Sequence, residues 1–163
     1  MLRTPKLDKV DICILAQLQK NGRMTNNKLA DTIGLSASPC LSRVRRLESA
    51  GYIANYTARL QLSKLVEHIT VFTEVTLVDH RHEDFVKFET GIRQYSALKE
   101  CHLISGGYDY LLKFVVRNIA RYQAMMESLL ERNIGIEKYF SYVVLKTVVD
   151  LESVPVTTLF DAP

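Results

Sequence analysis

Apolar residues return every three or four positions near the start of the chain, at Leu7, Val10, Ile14, Leu15 and Leu18, with Asp8 ahead of the run and Asn21-Gly22 behind it. That spacing predicts an amphipathic helix of about three to four turns that stops at the glycine. Thr25 stands where it can cap a second, short helix carrying Leu29, Ala30 and Ile33, which Gly34 closes. Leu35 fills the turn, and Ser36 is placed to cap a third helix that runs through Cys40, Val44 and Leu47 until Ala50-Gly51 ends it. Pro39 falls in the first turn of that helix, where a missing N–H costs nothing. Two helices joined by a glycine-containing turn, after a preceding helix, form a helix-turn-helix pattern.

After Gly51 the texture changes. Residues 52–60 are rich in β-branched and aromatic side chains and predict a strand, or small wing, that leads into a linker over 61–67. The remainder alternates: a strand over 69–78, a helix with Phe85, Phe88, Ile92 and Tyr95, a strand over 98–105, a turn at Gly106-Gly107, and a strand over 108–116. A helix with Ile119, Tyr122, Met126 and Leu129 and a last strand over 137–149 complete the order βαββαβ. This is the ferredoxin-like unit, an antiparallel sheet with both helices on one face. The expected fold class is therefore α+β, with a winged helix-turn-helix domain over 1–60 and a ferredoxin-like domain over 68–163. The uncovered sheet face makes a homodimer the default expectation.

The chain has 163 residues, 47% of them hydrophobic, enough for two small cores. No apolar run approaches the roughly 20 residues of a membrane span. Residues 1–6 carry neither the apolar stretch nor the cleavage site of a secretory signal, so a cytoplasmic location and no membrane partner are expected. Cys13, Cys40 and Cys101 are odd in number and far apart, which fits a reducing compartment and argues against a disulfide framework or a zinc site. The overall charge of +3 hides an asymmetry: residues 1–60 hold ten Lys and Arg against four Asp and Glu, a net +6, whereas the rest is net −3. A polyanion-binding module joined to a module that binds something else is the expected arrangement.

Winding the third helix at about 100° per residue puts Cys40, Val44 and Leu47 on one stripe. Ser38, Ser42, Arg45, Arg46 and Ser49 fall opposite, with Arg43 at the edge. Hydroxyls and guanidinium groups without an acid suit the major groove of double-stranded DNA, where Arg forks pair with guanine or phosphate. The helix N-terminus at Ser36 adds N–H groups for a phosphate. The candidate DNA-binding residues are Ser36, Ser38, Pro39, Ser42, Arg43, Arg45 and Arg46.

Other motifs carry little chemistry. Cys101 and His102 are strand neighbours that point to opposite faces, so they cannot act as nucleophile and base together. His80 and His82 have no third ligand at metal-site spacing and are expected to be solvated helix-start residues, while Glu83 and Asp84 suit a helix first turn. Neither GxxxxGK[ST] nor a dinucleotide fingerprint occurs. No catalytic residue, metal or cofactor is assigned. The readings that compete with a regulator are an architectural DNA-binding protein and a small ferredoxin-like enzyme or metal sensor.

The run Gly34-Leu35-Ser36-Ala37-Ser38-Pro39-Cys40-Leu41-Ser42-Arg43-Val44-Arg45-Arg46-Leu47-Glu48 closely resembles the recognition segment of the leucine-responsive and asparagine-responsive regulators, the Lrp/AsnC family. Gly51-Tyr52-Ile53 and Tyr56-Thr57-Ala58 look like its link to the sheet. Glu100-Cys101-His102-Leu103-Ile104-Ser105-Gly106 and Asp109-Tyr110-Leu111-Leu112-Lys113 are similar to the signature of its ligand-sensing domain. The resemblance spans nearly the whole chain. It implies a transcription regulator of amino-acid metabolism that dimerises through its sheets, assembles into octamers or related rings, and binds a free amino acid between dimers. Family effector-response positions that match are Leu103, Gly106, Asp109, Tyr142, Val143 and Val144, and the intervening turn residues Gly107 and Tyr108 join them. A zwitterion needs N–H donors for its carboxylate and an oxygen for its ammonium; the turn can supply the first and Asp109 the second. Gly107 departs from the family, which commonly has an acid there, and this bears on which effector is bound. The purely structural alternative is that Gly106-Gly107 supplies positive φ for a hairpin while Asp109 bonds nearby backbone.

Overall fold

A computed structural model describes residues 6–151 and 154–160; residues 1–5, 152, 153 and 161–163 of the two expected domains lie outside the described residues. The chain forms two compact units, Met1–Arg59 with Val149–Pro163, and Leu60–Val148. The first break falls within a residue of the expected boundary at 60. The second differs from expectation, because the segment from Val149 belongs with the N-terminal unit. No helix among the described residues is long and apolar enough to cross a membrane.

In the first unit, α1 (Lys9–Lys20), α2 (Asn26–Ile33) and α3 (Ala37–Ser49) bury Ile14, Leu29, Ala30, Cys40, Val44 and Leu47 against one another. Asp8 caps α1 by accepting from the Asp11 N–H at 2.8 Å, and Asp11 accepts from the Asp8 N–H at 3.1 Å. Thr25 caps α2, accepting from the Lys28 N–H, and Gly34 adopts φ +70°, a turn conformation that favours glycine. Three details differ from the sequence reading. Ser36 holds the N-cap position of α3 without a side-chain cap bond. Asn21, not Gly22, ends α1. The expected strand over 52–60 is not formed, since these residues are irregular and mostly exposed; a strand needs a ladder partner, and within the described residues of this chain none is offered.

An ionic link joins α1 to α3. The Asp11 side chain is fully buried and accepts from Arg43 Nη1 at 2.8 Å and Arg46 Nη2 at 2.5 Å, and Asp8 takes Arg43 Nη1 at 2.6 Å. The Asp8 carboxyl is held below the usual carboxylate range, first by the Asp11 backbone N–H and then by the Arg43 guanidinium.

The second unit is β1 (Ile69–Leu77), α4 (His82–Ile92), β2 (Leu98–Leu103), β3 (Tyr110–Val116), α5 (Ile119–Glu131) and β4 (Ile136–Val143), preceded by a 3₁₀ turn at Leu62–Lys64. The four strands pair antiparallel in the order β2-β3-β1-β4. The expected βαββαβ order is present, and β4 ends six residues earlier than expected. Alternation sends Val71, Val75, Leu77, Leu112 and Phe114 toward α4 and α5, where they meet Phe88, Ile92, Met126 and Leu129. Phe88 and Tyr110 rings stack with centroids 4.5 Å apart. Thr73, the buried polar residue among these, bonds the Tyr122 hydroxyl at 2.7 Å, which in turn meets Ser141 Oγ at 2.5 Å.

Two substitutions test this packing. A Cβ on Gly91 of α4 would lie 2.8 Å from Ile134 Cγ2, a branched atom that cannot swing away alone. Gly91→Ala is expected to lower the stability of the sheet unit by about 1–3 kcal/mol through overpacking, measured by urea denaturation. Asp11→Ala removes a buried acceptor of two guanidinium groups and half of the α1 cap. A loss of about 1.5–3 kcal/mol is expected, read as faster hydrogen exchange throughout α1 and α3; unchanged exchange would contradict the link.

Candidate nucleic-acid interface and effector surface

The winding of α3 sorts its polar residues into two stripes, not one. Ser38, Ser42, Arg45 and Ser49 lie opposite the buried Cys40, Val44 and Leu47, and all four are exposed. Pro39, Arg43 and Arg46 turn toward the start of α1. They line, with Asp8 and Ser42, a polar recess of about 360 Å³. Arg46, expected on the outward face, is exposed, and Arg43, expected at its edge, is half-buried; both are engaged by the α1 carboxylates. Arg45 makes no such bond among the described residues and is exposed. Ser36 is exposed at the helix start, and Asn26 Nδ2 donates to the Ala37 carbonyl at 2.8 Å, pinning that start to α2.

Asp8, Asp11 and Asn26 are functional-site supports that the sequence reading missed. A signal existed: Asp8 and Asp11 are three residues apart on one helix, and Arg43 and Arg46 are three apart on another. Such spacing places each pair on one helix face, ready to meet the other. Glu48 at the far end of α3 accepts from the Tyr56 hydroxyl at 2.9 Å, and burial followed by this carboxylate pushes the phenol up to about 12.

In the sheet unit the candidate effector residues divide between two faces. Register pairs Leu103 with Tyr110 and Val143 with Val71, which puts Leu103 and Val143 on the helix side. There Leu103 borders a recess of about 210 Å³ with Glu89, Arg93, Cys101 and Tyr110. Tyr142 pairs with Phe72 on the opposite, helix-free face, and its hydroxyl donates to Glu74 Oε2 at 3.2 Å. Val144 lies past the strand end, its N–H on the Thr70 carbonyl at 2.9 Å.

The connection from Ile104 to Asp109 is closed by backbone and by the Asp109 side chain. The Asp109 N–H donates to Val75 O, and Ile104 N–H to Asp109 O, both at 2.9 Å. Asp109 Oδ2 accepts from the Leu77 N–H at 2.8 Å, and His80 Nε2 sits 2.9 and 3.0 Å from the two carboxylate oxygens. His80, expected to be solvated, is thus a partner of Asp109. Gly106 and Gly107 have negative or extended φ, so the positive-φ hairpin considered for them is not formed; both are exposed. Tyr108 lies near enough to Tyr142 to help raise its phenol, after burial and Glu74. Tyr108, Glu74 and Tyr142 therefore lie together at the helix-free face, whereas Leu103 and Val143 lie on the other. Glu74 carries no motif and was not singled out from sequence.

Comparison with known proteins agrees with this geometry. The family model described as Lrp/AsnC ligand binding domain matches residues 70–154, and one described as winged helix-turn-helix DNA-binding matches residues 7–54. The transcriptional regulatory protein DoeX of Halomonas elongata is 45% identical over 143 residues, covering 88% of this chain and 90% of that protein. The leucine-responsive regulatory protein of Escherichia coli is 42% identical over 142 residues, 87% of each. Among solved structures, a transcriptional regulator of Neisseria meningitidis in complex with L-methionine superposes with a TM-score of 0.87 at 31% identity, covering 94% of this chain and 99% of that one. With an exposed recognition helix on one unit and a βαββαβ sheet on the other, the chain belongs to the Lrp/AsnC family: it is a DNA-binding transcription regulator with an amino-acid ligand-binding domain, not an enzyme.

Proposed function

We propose that the protein reads a specific operator through Ser38, Ser42 and Arg45 of α3, and that a free amino acid bound at the sheet unit alters that reading at genes of amino-acid metabolism. The observation that carries the first part is the sorting of α3 into a free stripe and a clamped stripe. Arg45 can form a bidentate pair with guanine, and the serines bond base edges or phosphates. Arg43 and Arg46 hold the helix to α1, and the α3 N-terminus at Ser36 and Pro39 faces the DNA backbone.

For the effector, the helix-free end of the sheet offers what a zwitterion needs. Glu74 supplies an oxygen for the ammonium, Gly106, Gly107 and Tyr108 supply exposed turn N–H groups for the carboxylate, and Tyr142 gives an aromatic wall. Asp109, with its oxygens committed to Leu77 and His80, positions the turn. The complex of the Neisseria meningitidis regulator with L-methionine supports an amino acid as the ligand class. Leu103 and Val143 reach the same ligand only if a second copy contributes them, which favours a site between assembled chains. The exposed Phe140 and Tyr142 on the uncovered sheet face support a homodimer, with octamers or related rings built from it.

Two measurements follow. Arg45→Ala is expected to weaken binding to the cognate operator by about 1–3 kcal/mol and to relax its base preference, with Ser42→Ala doing less, in fluorescence titrations of folded protein. An unchanged affinity for Arg45→Ala would remove it from the interface. Calorimetry against the twenty amino acids is expected to find one that binds the full chain, with Glu74→Gln weakening it at least tenfold. Equal affinities for wild type and Glu74→Gln would place the ammonium elsewhere.

A further inference from the structure

The chain does not end with the sheet. After β4 it runs back to the first unit, where α6 (Val156–Phe160) packs on α1. Three contacts hold this segment. Asp150 pairs with Arg59. The Gln19 side-chain amide, in the orientation that matches donors to acceptors, donates to the Val154 carbonyl at 2.7 Å and accepts from the Val154 N–H at 3.0 Å. Val156 and Phe160 border a groove of about 380 Å³ whose walls include Leu15, Leu18, Tyr52, Ile53 and Tyr56.

The two-point bond from Gln19 is the informative one. A side-chain amide that meets both the N–H and the C=O of one residue reads backbone, and holds an extended segment whatever its side chains. The seat is nevertheless shallow. Phe160 remains 58% exposed, Val156 is half-buried, and both partners of the Arg59–Asp150 pair stay more than half exposed. Surface pairs of that kind contribute little, so the seat rests on the Gln19 bonds and the few apolar contacts.

The floor of the groove leads to the recognition helix. Tyr56, one of its walls, lies against Gly22 and donates to Glu48 of α3. Leu15 and Leu18 belong to α1, which also carries Asp11 and its grip on Arg43 and Arg46.

We propose that the segment carrying Asp150, Val154 and α6 (Val156–Phe160) is a releasable strap on the DNA-binding unit. Seated, the strap braces α1 and the segment after α3, and so holds α3 in the state that binds DNA. Because it continues directly from β4, it gives the sheet unit a second covalent connection to the DNA-binding unit, beside the one at residues 59–60. Release leaves that unit tethered by the single linker and less well ordered.

The test uses the full chain and hydrogen exchange together with operator binding. Val156→Asp and Phe160→Asp are expected to speed exchange at residues 15–19 and 52–58 by tenfold or more and to weaken operator binding three- to tenfold. Gln19→Ala, which leaves the apolar contacts in place, is expected to show the same pattern at smaller amplitude. Leu159→Asp, which changes a residue outside the groove, is expected to match wild type in both. Exchange unchanged in all three strap variants would show that the segment is not seated in solution. Accelerated exchange with unchanged operator binding would show that seating does not reach α3, and would equally overturn the proposal.

Discussion

Asp11 is a carboxylate without access to water, and it meets two guanidinium groups that the next helix but one delivers at a spacing of three residues. Burying such a group is tolerable only when its oxygens are fully bonded. The Asp8 N–H, Arg43 and Arg46 provide those bonds, and Asp8 in turn caps the helix that carries Asp11. This one satisfied charge decides the rest of the DNA-binding unit. It locks the rotation of α3 about its own axis, which selects Arg45 and the serines as the outward stripe. It also pairs two of the three arginines of α3 with carboxylates of α1, so that their charge is offset within the unit.

The sheet unit follows a different constraint, the strict alternation of side chains on a strand. Four strands with both helices on one side bury the helix-facing residues of the central β1 and β3, leave those of the outer β2 and β4 partly exposed, and leave the other face without cover. Tyr142 and Glu74 sit in the uncovered set, Leu103 and Val143 in the set beneath the helices. A family's effector positions that look contiguous in sequence are thereby split across the thickness of the sheet. Phe140 and Tyr142 stay exposed on the open face.

The main elements were legible in the sequence because their signals are local. Period-three-and-four spacing marked α1, the Thr25 cap and Gly34 marked α2, and alternation with a central turn marked β2 and β3. What stayed hidden depends on contacts distant in the chain. Residues 52–60 have strand-forming composition, yet composition supplies no partner strand. The pairing of Arg46 with Asp11 was hidden because winding a helix does not reveal which charged residue from another element faces its flank. The partners of Asp109, the Leu77 N–H and His80, are likewise unmarked by anything nearby in sequence. The return of the tail to α1 had no sequence signal beyond scattered apolar residues after Val148, and it moved the second domain boundary.

The central claim is that Arg43 and Arg46 serve the fold while Arg45 serves DNA. The salt dependence of operator binding separates these roles, because each phosphate neutralised by a protein cation releases counterions and adds to the slope of log affinity against log salt. Arg46→Gln, in folded protein, is predicted to leave that slope unchanged while lowering the stability of the DNA-binding unit. A slope that falls by about one for Arg46→Gln would show that its guanidinium lies on the DNA backbone, and that the clamp by Asp11 is not what orders the recognition helix.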